Sequence, residues 1–99
     1  MLKDSVNYHL ASYDALLTDC YADTGKTGYR ILETARLIGC SYFNNYGYLL
    51  DDITAIDHRN GELLVTGGLF RKTCPNATLY RGTRENLIWR DNLLEGDWE

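Results

Sequence analysis

Asn60-Gly61 is the pair that most limits what this chain can fold into. It divides the stretch from Asp51 to Phe70, DDITAIDHRNGELLVTGGLF, into two runs rich in β-branched and aliphatic residues. Asn-Gly tolerates the positive φ angles of a two-residue primed turn, so the stretch reads as a β-hairpin. The strands fall at Ile53–His58 and Glu62–Thr66. Gly67-Gly68 breaks or bulges the second one.

A two-residue turn pairs Arg59 with Glu62, Asp57 with Leu64, Ile56 with Val65 and Ala55 with Thr66. One face then carries Ile56, Leu63 and Val65. The other carries Ile53, Ala55 and Leu64. A three-residue turn shifts the register but again leaves aliphatics on both faces.

Before the hairpin, Val6, Leu10, Tyr13, Leu17 and Cys20 recur at three- and four-residue steps, after a cap at Asp4 or Ser5. This predicts an amphipathic helix that ends near Asp23-Thr24-Gly25. Thr27 caps a second helix through Tyr29, Leu32, Ala35 and Ile38, stopped at Gly39. Tyr46–Leu50 reads as a short strand. Leu79–Arg81 and Leu87–Trp89 read as a second hairpin across GTRE, with a helix from Arg84 as the rival. The last residues, EGDWE, read as frayed. No internal repeat stands out.

The expected architecture is a single α+β domain over residues 1–99, with two N-terminal helices packed on a small antiparallel sheet. Ninety-nine residues bury only a modest core. The helices can cover one face of that sheet. The other needs Leu87–Trp89 or a second molecule over it.

Composition narrows the function. The chain is 44% apolar and 24% charged, with net charge −4, an ordinary soluble profile. No apolar run approaches the roughly 18 residues of a membrane span, and MLKDSVNYHL lacks a signal-peptide core. The expectation is a cytoplasmic protein with no membrane partner. Cys20, Cys40 and Cys74 are odd in number and widely spaced, which predicts reduced thiols rather than a disulfide framework or zinc site.

Specific chemistries find little support. Gly25-Lys26-Thr27 imitates the end of a phosphate-binding loop, but Cys20 stands where the first glycine belongs. Asp57 and His58 point to opposite sides of a strand, and a metal would need Asp52, His58 and Glu62 to converge. Ser5 and His9 have helical spacing without an oxyanion hole. Asp51-Asp52 reads as a solvated strand entrance rather than an acid–base pair.

Two features remain. Eight tyrosines and two tryptophans suit partly buried interfaces. Arg71, Lys72, Arg81, Arg84 and Arg90 cluster against a single acid, Glu85.

These features predict a non-enzymatic interaction module without cofactor or metal, such as an inhibitor or accessory protein of the kind phages and mobile elements encode. It binds a protein partner or itself, as a homodimer by default, through Ile53, Ala55, Leu64, Tyr42, Tyr46 and Tyr48. The alternatives are nucleic-acid binding by the basic stretch, and a small-molecule pocket or minor enzyme site between sheet and helices.

Overall fold

A computed structural model describes residues 5–23, 25–43, 52–72 and 74–98. The chain winds as a β-solenoid of about three turns. It makes four passes, and each pass lays one strand on each of three parallel sheets. The first pass holds β1 (Val6–Leu10), β2 (Ala15–Thr18) and β3 (Tyr21–Ala22). The second holds β4 (Thr27–Ile31), β5 (Ala35–Ile38) and β6 (Ser41–Tyr42). The third holds β7 (Ile53–His58), β8 (Leu63–Thr66) and β9 (Leu69–Arg71). The fourth holds β10 (Ala77–Arg81), β11 (Leu87–Arg90) and β12 (Leu93–Glu95). The sheets are β1-β4-β7-β10, β2-β5-β8-β11 and β3-β6-β9-β12.

This overturns the α+β expectation. The two predicted helices are strands, and every strand pairing among the described residues is parallel. Val6, Tyr8 and Leu10 alternate with the more exposed Asn7 and His9, and Ala15 and Leu17 alternate with Leu16 and Thr18. That is the two-residue period of a strand with one face inward.

The hairpin is also absent. β7 and β8 have the predicted extents within a residue, but they lie in different sheets. β7 pairs with β4 and β10, and β8 with β5 and β11. Asn60-Gly61 turns a corner between them. A type I′ turn needs positive φ at both central residues, and of this pair only Gly61 has it, at φ 80°. Leu79–Arg81 and Leu87–Trp89 are likewise strands of separate sheets, with a short 3-10 turn at Arg84–Asn86 between them. The Tyr46–Leu50 strand lies outside the described residues.

An internal repeat exists after all. Ala15, Ala35, Leu63 and Leu87 form one row, and Leu17, Leu37, Val65 and Trp89 the next. Successive members are twenty, twenty-eight and twenty-four residues apart, so no single period marks them.

The corner after each strand of the second sheet shows the repeat best. Asp19, Gly39, Gly67 and Asp91 occupy it, all with φ between 54° and 67°. Gly and Asp are residues that tolerate this left-handed conformation. Cys20, Cys40, Gly68 and Asn92 follow, and their row explains the spacing of two cysteines. Cys40 Sγ donates to the Leu17 carbonyl at 3.4 Å, one pass earlier. Asn92 Nδ2 donates to the Val65 carbonyl at 3.0 Å in the same relation. Asn92 Oδ1 accepts from Gly68 N at 2.8 Å.

The core runs down the solenoid axis. Tyr29, Ile31, Leu37, Ile56, Leu63, Val65 and Phe70 are essentially inaccessible. Tyr29 stacks on Tyr8 at 5.2 Å, and its hydroxyl donates to the Ser41 carbonyl at 2.6 Å. Burial drives that hydroxyl's pKa well above the ordinary tyrosine value. The C-terminal segment is not frayed at Trp98: its Nε1 donates to the Phe70 carbonyl at 2.9 Å, and its ring lies 6.3 Å from Tyr42.

Candidate interaction surface

Inward-facing rows on a parallel sheet fix the outward rows between them. On β2-β5-β8-β11 the outward rows are Leu16–Arg36–Leu64–Ile88 and Thr18–Ile38–Thr66–Arg90. Neighbouring strands stand about 4.8 Å apart, so four residues in a row span roughly 14 Å. Leu16 is 47% exposed, Ile38 37% and Ile88 49%, with Leu64 half-buried among them.

One charged group, Arg36, interrupts this face between Leu16 and Leu64. Arg36 pairs with Asp14 at 3.7 Å. Arg36, Leu64, Ile88, Glu62 and Asn86 line a shallow depression of about 300 Å³.

The other two outer faces differ. On β3-β6-β9-β12, Tyr21 stacks near Phe43 at 6.5 Å, and Arg71 lies over the Phe43 ring at 5.5 Å while binding Glu95 at 2.6 Å. On β1-β4-β7-β10 the surface is ionic. Asp57 holds Arg59 at 2.9 Å and Arg30 at 3.6 Å. Arg81 reaches Asp52 at 2.8 Å and the Thr54 hydroxyl at 3.0 Å.

The residues expected to form an interface do not share a surface. Ile53 and Ala55 are buried on β7, and Tyr42 is buried inside the solenoid. Leu64 alone faces outward, on the second sheet. Tyr46 and Tyr48 lie outside the described residues.

The basic stretch is also dispersed. Arg71 lies on β9, Arg81 on β10 and Arg90 on β11, one on each sheet. Lys72 donates to the Asp97 carbonyl at 2.8 Å, and Arg84 lies 5.4 Å over the Tyr80 ring.

The remaining motif residues take structural places. Around Lys26 the backbone follows the ladder instead of wrapping a loop: Thr54 N donates to the Lys26 carbonyl, and Thr27 N to the Ser5 carbonyl. His9 lies outward on β1, level with Arg30. His58 is buried. Its Nε2 lies 2.6 Å from the Gly61 carbonyl, which can only accept, so this nitrogen carries the proton. Its Nδ1 lies 2.7 Å from the Tyr80 hydroxyl. Asp52 is therefore apart from His58, engaged by Arg81 on the outer surface, and Asp51 lies outside the described residues. Among the described residues no three His, Cys, Asp or Glu side chains converge as a metal site. Cys20, Cys40 and Cys74 form no disulfide among the described residues. No helix among the described residues is long and apolar enough to cross a membrane.

Leu16, Ile38 and Ile88 escaped the sequence reading. Their signal lies in aligning Ala15-Leu16-Leu17-Thr18-Asp19 with Leu63-Leu64-Val65-Thr66-Gly67, which places each outer residue between two core residues. No family model, no curated protein and no solved structure matches this chain.

Proposed function

We propose that this chain is a non-enzymatic interaction module that docks a protein partner on the outer face of β2-β5-β8-β11. The observation carrying this reading is the outward row Leu16–Arg36–Leu64–Ile88, with Ile38 in the row beside it, on one parallel sheet. Three large aliphatics are exposed by more than a third on one small face, and apolar groups gathered on a surface in this way favour a contact site. Asp14, Glu62 and Arg90 stand beside these residues and Arg36 lies between Leu16 and Leu64, a mixture of apolar and polar groups of the kind protein interfaces show. The patch is small, so the reading implies a transient contact rather than an obligate one. Three cysteines without a disulfide among the described residues fit a reducing compartment such as the cytoplasm.

Leu64→Glu tests this reading. Leu64 points outward, so the substitution keeps the strand signal while placing a charge at the centre of the patch. A partner captured by the wild type and identified by mass spectrometry is lost from the variant. Tyr13→Glu, at a residue 78% exposed and off the sheet, retains it. Equal capture by all three proteins refutes the docking face.

A further inference from the structure

Cys20 and Cys40 hold the same corner in successive passes. Thr18 pairs with Ile38 before that corner, and Tyr21 with Ser41 after it. The residues between are Asp19-Cys20 in the first pass and Gly39-Cys40 in the second, so Cys20 stands opposite Cys40. Hydrogen bonds hold this register on both sides: Asp19 N donates to Ile38 O at 2.9 Å, and Ser41 N to Cys20 O at 2.8 Å. Neighbouring strands lie about 4.8 Å apart, and disulfides join Cα atoms roughly 4.4–6.8 Å apart.

The two sulfurs lie alike. Cys20 Sγ is 3.6 Å from the Thr18 carbonyl and Cys40 Sγ 3.8 Å from the Ile38 carbonyl, the same contact in each pass. Cys40 Sγ also donates to the Leu17 carbonyl at 3.4 Å, so it leans toward the pass that holds Cys20. Burial raises the Cys40 thiol pKa, and the Cys20 thiol is near enough to raise it further.

We propose that Cys20 and Cys40 form a redox-active pair, which a hydroperoxide oxidises to a disulfide tying the first pass to the second.

The fourth pass shows that this corner does not call for thiols. Asn92 makes the same backward tie with an amide, donating to the Val65 carbonyl at 3.0 Å. A thiol is a weaker donor than an amide. Two cysteines in register therefore weaken the tie and supply a pair of oxidisable sulfurs instead. Their exposures also differ. Cys20 is half-exposed and open to an oxidant, whereas Cys40 is 1% exposed and meets little besides its neighbours. Cys74 lies at another corner, between β9 and β10.

The chemistry runs in two steps. The Cys20 thiolate attacks one oxygen of the hydroperoxide: an S–O bond forms, the O–O bond breaks, and the departing alkoxide takes the thiol's proton to leave as an alcohol. Cys40 Sγ then attacks the Cys20 sulfur: the S–S bond forms, the S–O bond breaks, and hydroxide leaves with the Cys40 proton as water. Two thiols are oxidised to one disulfide, and one hydroperoxide is reduced to alcohol and water. Bridging requires both sulfurs to turn from their carbonyls toward each other.

Hydrogen peroxide in slight excess over folded protein provides the test, followed by catalase and then alkylation in denaturant. Before oxidant all three cysteines should be alkylated, and afterwards only Cys74. The oxidised chain should stay monomeric on a non-reducing gel and lose the mass of two hydrogens before alkylation. Trypsin cuts at Lys26, Arg30 and Arg36 separate the two cysteines, so the Cys20 and Cys40 peptides should appear linked until dithiothreitol is added. Cys74→Ser should oxidise as the wild type does. Cys40→Ser, whose hydroxyl can still donate to the Leu17 carbonyl, should stop at a Cys20 sulfenic acid that dimedone traps.

Three free thiols after peroxide overturn the proposal. So does a link to Cys74, a disulfide between molecules, or Cys20 oxidised to a sulfinic acid while Cys40 stays a thiol. The reaction uses no residue of the docking face, so the two proposals fail separately.

Discussion

Gly61 and Gly67 both take left-handed backbone, at φ 80° and φ 67°, yet their surroundings differ. A Cβ on Gly61 would run into the Thr34 nitrogen and stand 2.6 Å from the Glu33 carbonyl carbon. Those are backbone atoms of the preceding pass and cannot swing aside. A Cβ on Gly67 meets only Gly39 N, at 3.8 Å, an ordinary contact. Alanine at either site should therefore cost about 1–2 kcal/mol for the left-handed conformation. Gly61→Ala should cost a further ~1–3 kcal/mol for separating two packed passes. The difference between the two alanine variants thus isolates the close approach of adjacent passes. Urea denaturation with a common m-value measures it. Gly67→Asp should be milder than Gly67→Ala, because Asp19 and Asp91 already hold this corner in other passes. Equal losses at Gly61 and Gly67 would refute the account, since strain would then be the whole effect.

Two further outcomes follow from buried ionisable groups. Burial raises the pKa of the Tyr29 hydroxyl, so the folded state holds that proton more tightly than the unfolded chain does. This contribution is complete below the unfolded tyrosine value of about 10 and is lost as pH rises above it. The urea midpoint should fall on going to about pH 11, and Tyr29→Phe should flatten that fall; an unchanged slope in the variant would contradict the assignment. Burial likewise raises the Cys40 thiol, whose Sγ is engaged by the Leu17 carbonyl. Alkylation of the native protein should therefore label half-exposed Cys20 well before Cys40, while unfolded protein without reductant should titrate three thiols. Equal native rates at Cys20 and Cys40 would count against the buried row.

The sequence was most legible where a strand could be recognised from its own residues. Ile53–His58 and Leu63–Thr66 are strands, and Gly67 does end the second. What local pattern could not supply was the partner. Asn-Gly suits a hairpin turn and a solenoid corner equally, because both use positive φ at Gly61. A parallel partner lies twenty or more residues away, beyond any window that reads periodicity.

At the N-terminus, Val6, Leu10 and Leu17 satisfy helical spacing, but Val6, Tyr8 and Leu10 also satisfy strand alternation, and burial follows the second pattern. The repeat stayed hidden because its spacings are unequal and its rows change identity, as Ala15, Ala35, Leu63 and Leu87 show. On the candidate surface only Leu64 was found. Its neighbours Leu16, Ile38 and Ile88 belong to segments assigned to helices or to another hairpin.

The corner row of Cys20, Cys40, Gly68 and Asn92 also bears on how the molecule comes apart. Cys40 reaches back to Leu17 and Asn92 reaches back to Val65, so each tie joins one pass to the pass before it. Strand pairing obeys the same rule, since each strand bonds only to the passes directly above and below. Loss of order at one end therefore propagates by successive detachment, and an inner pass is released only after an outer one has gone. The array behaves as a short zipper of four passes, in which the second and third are held from both sides and the first and last from one.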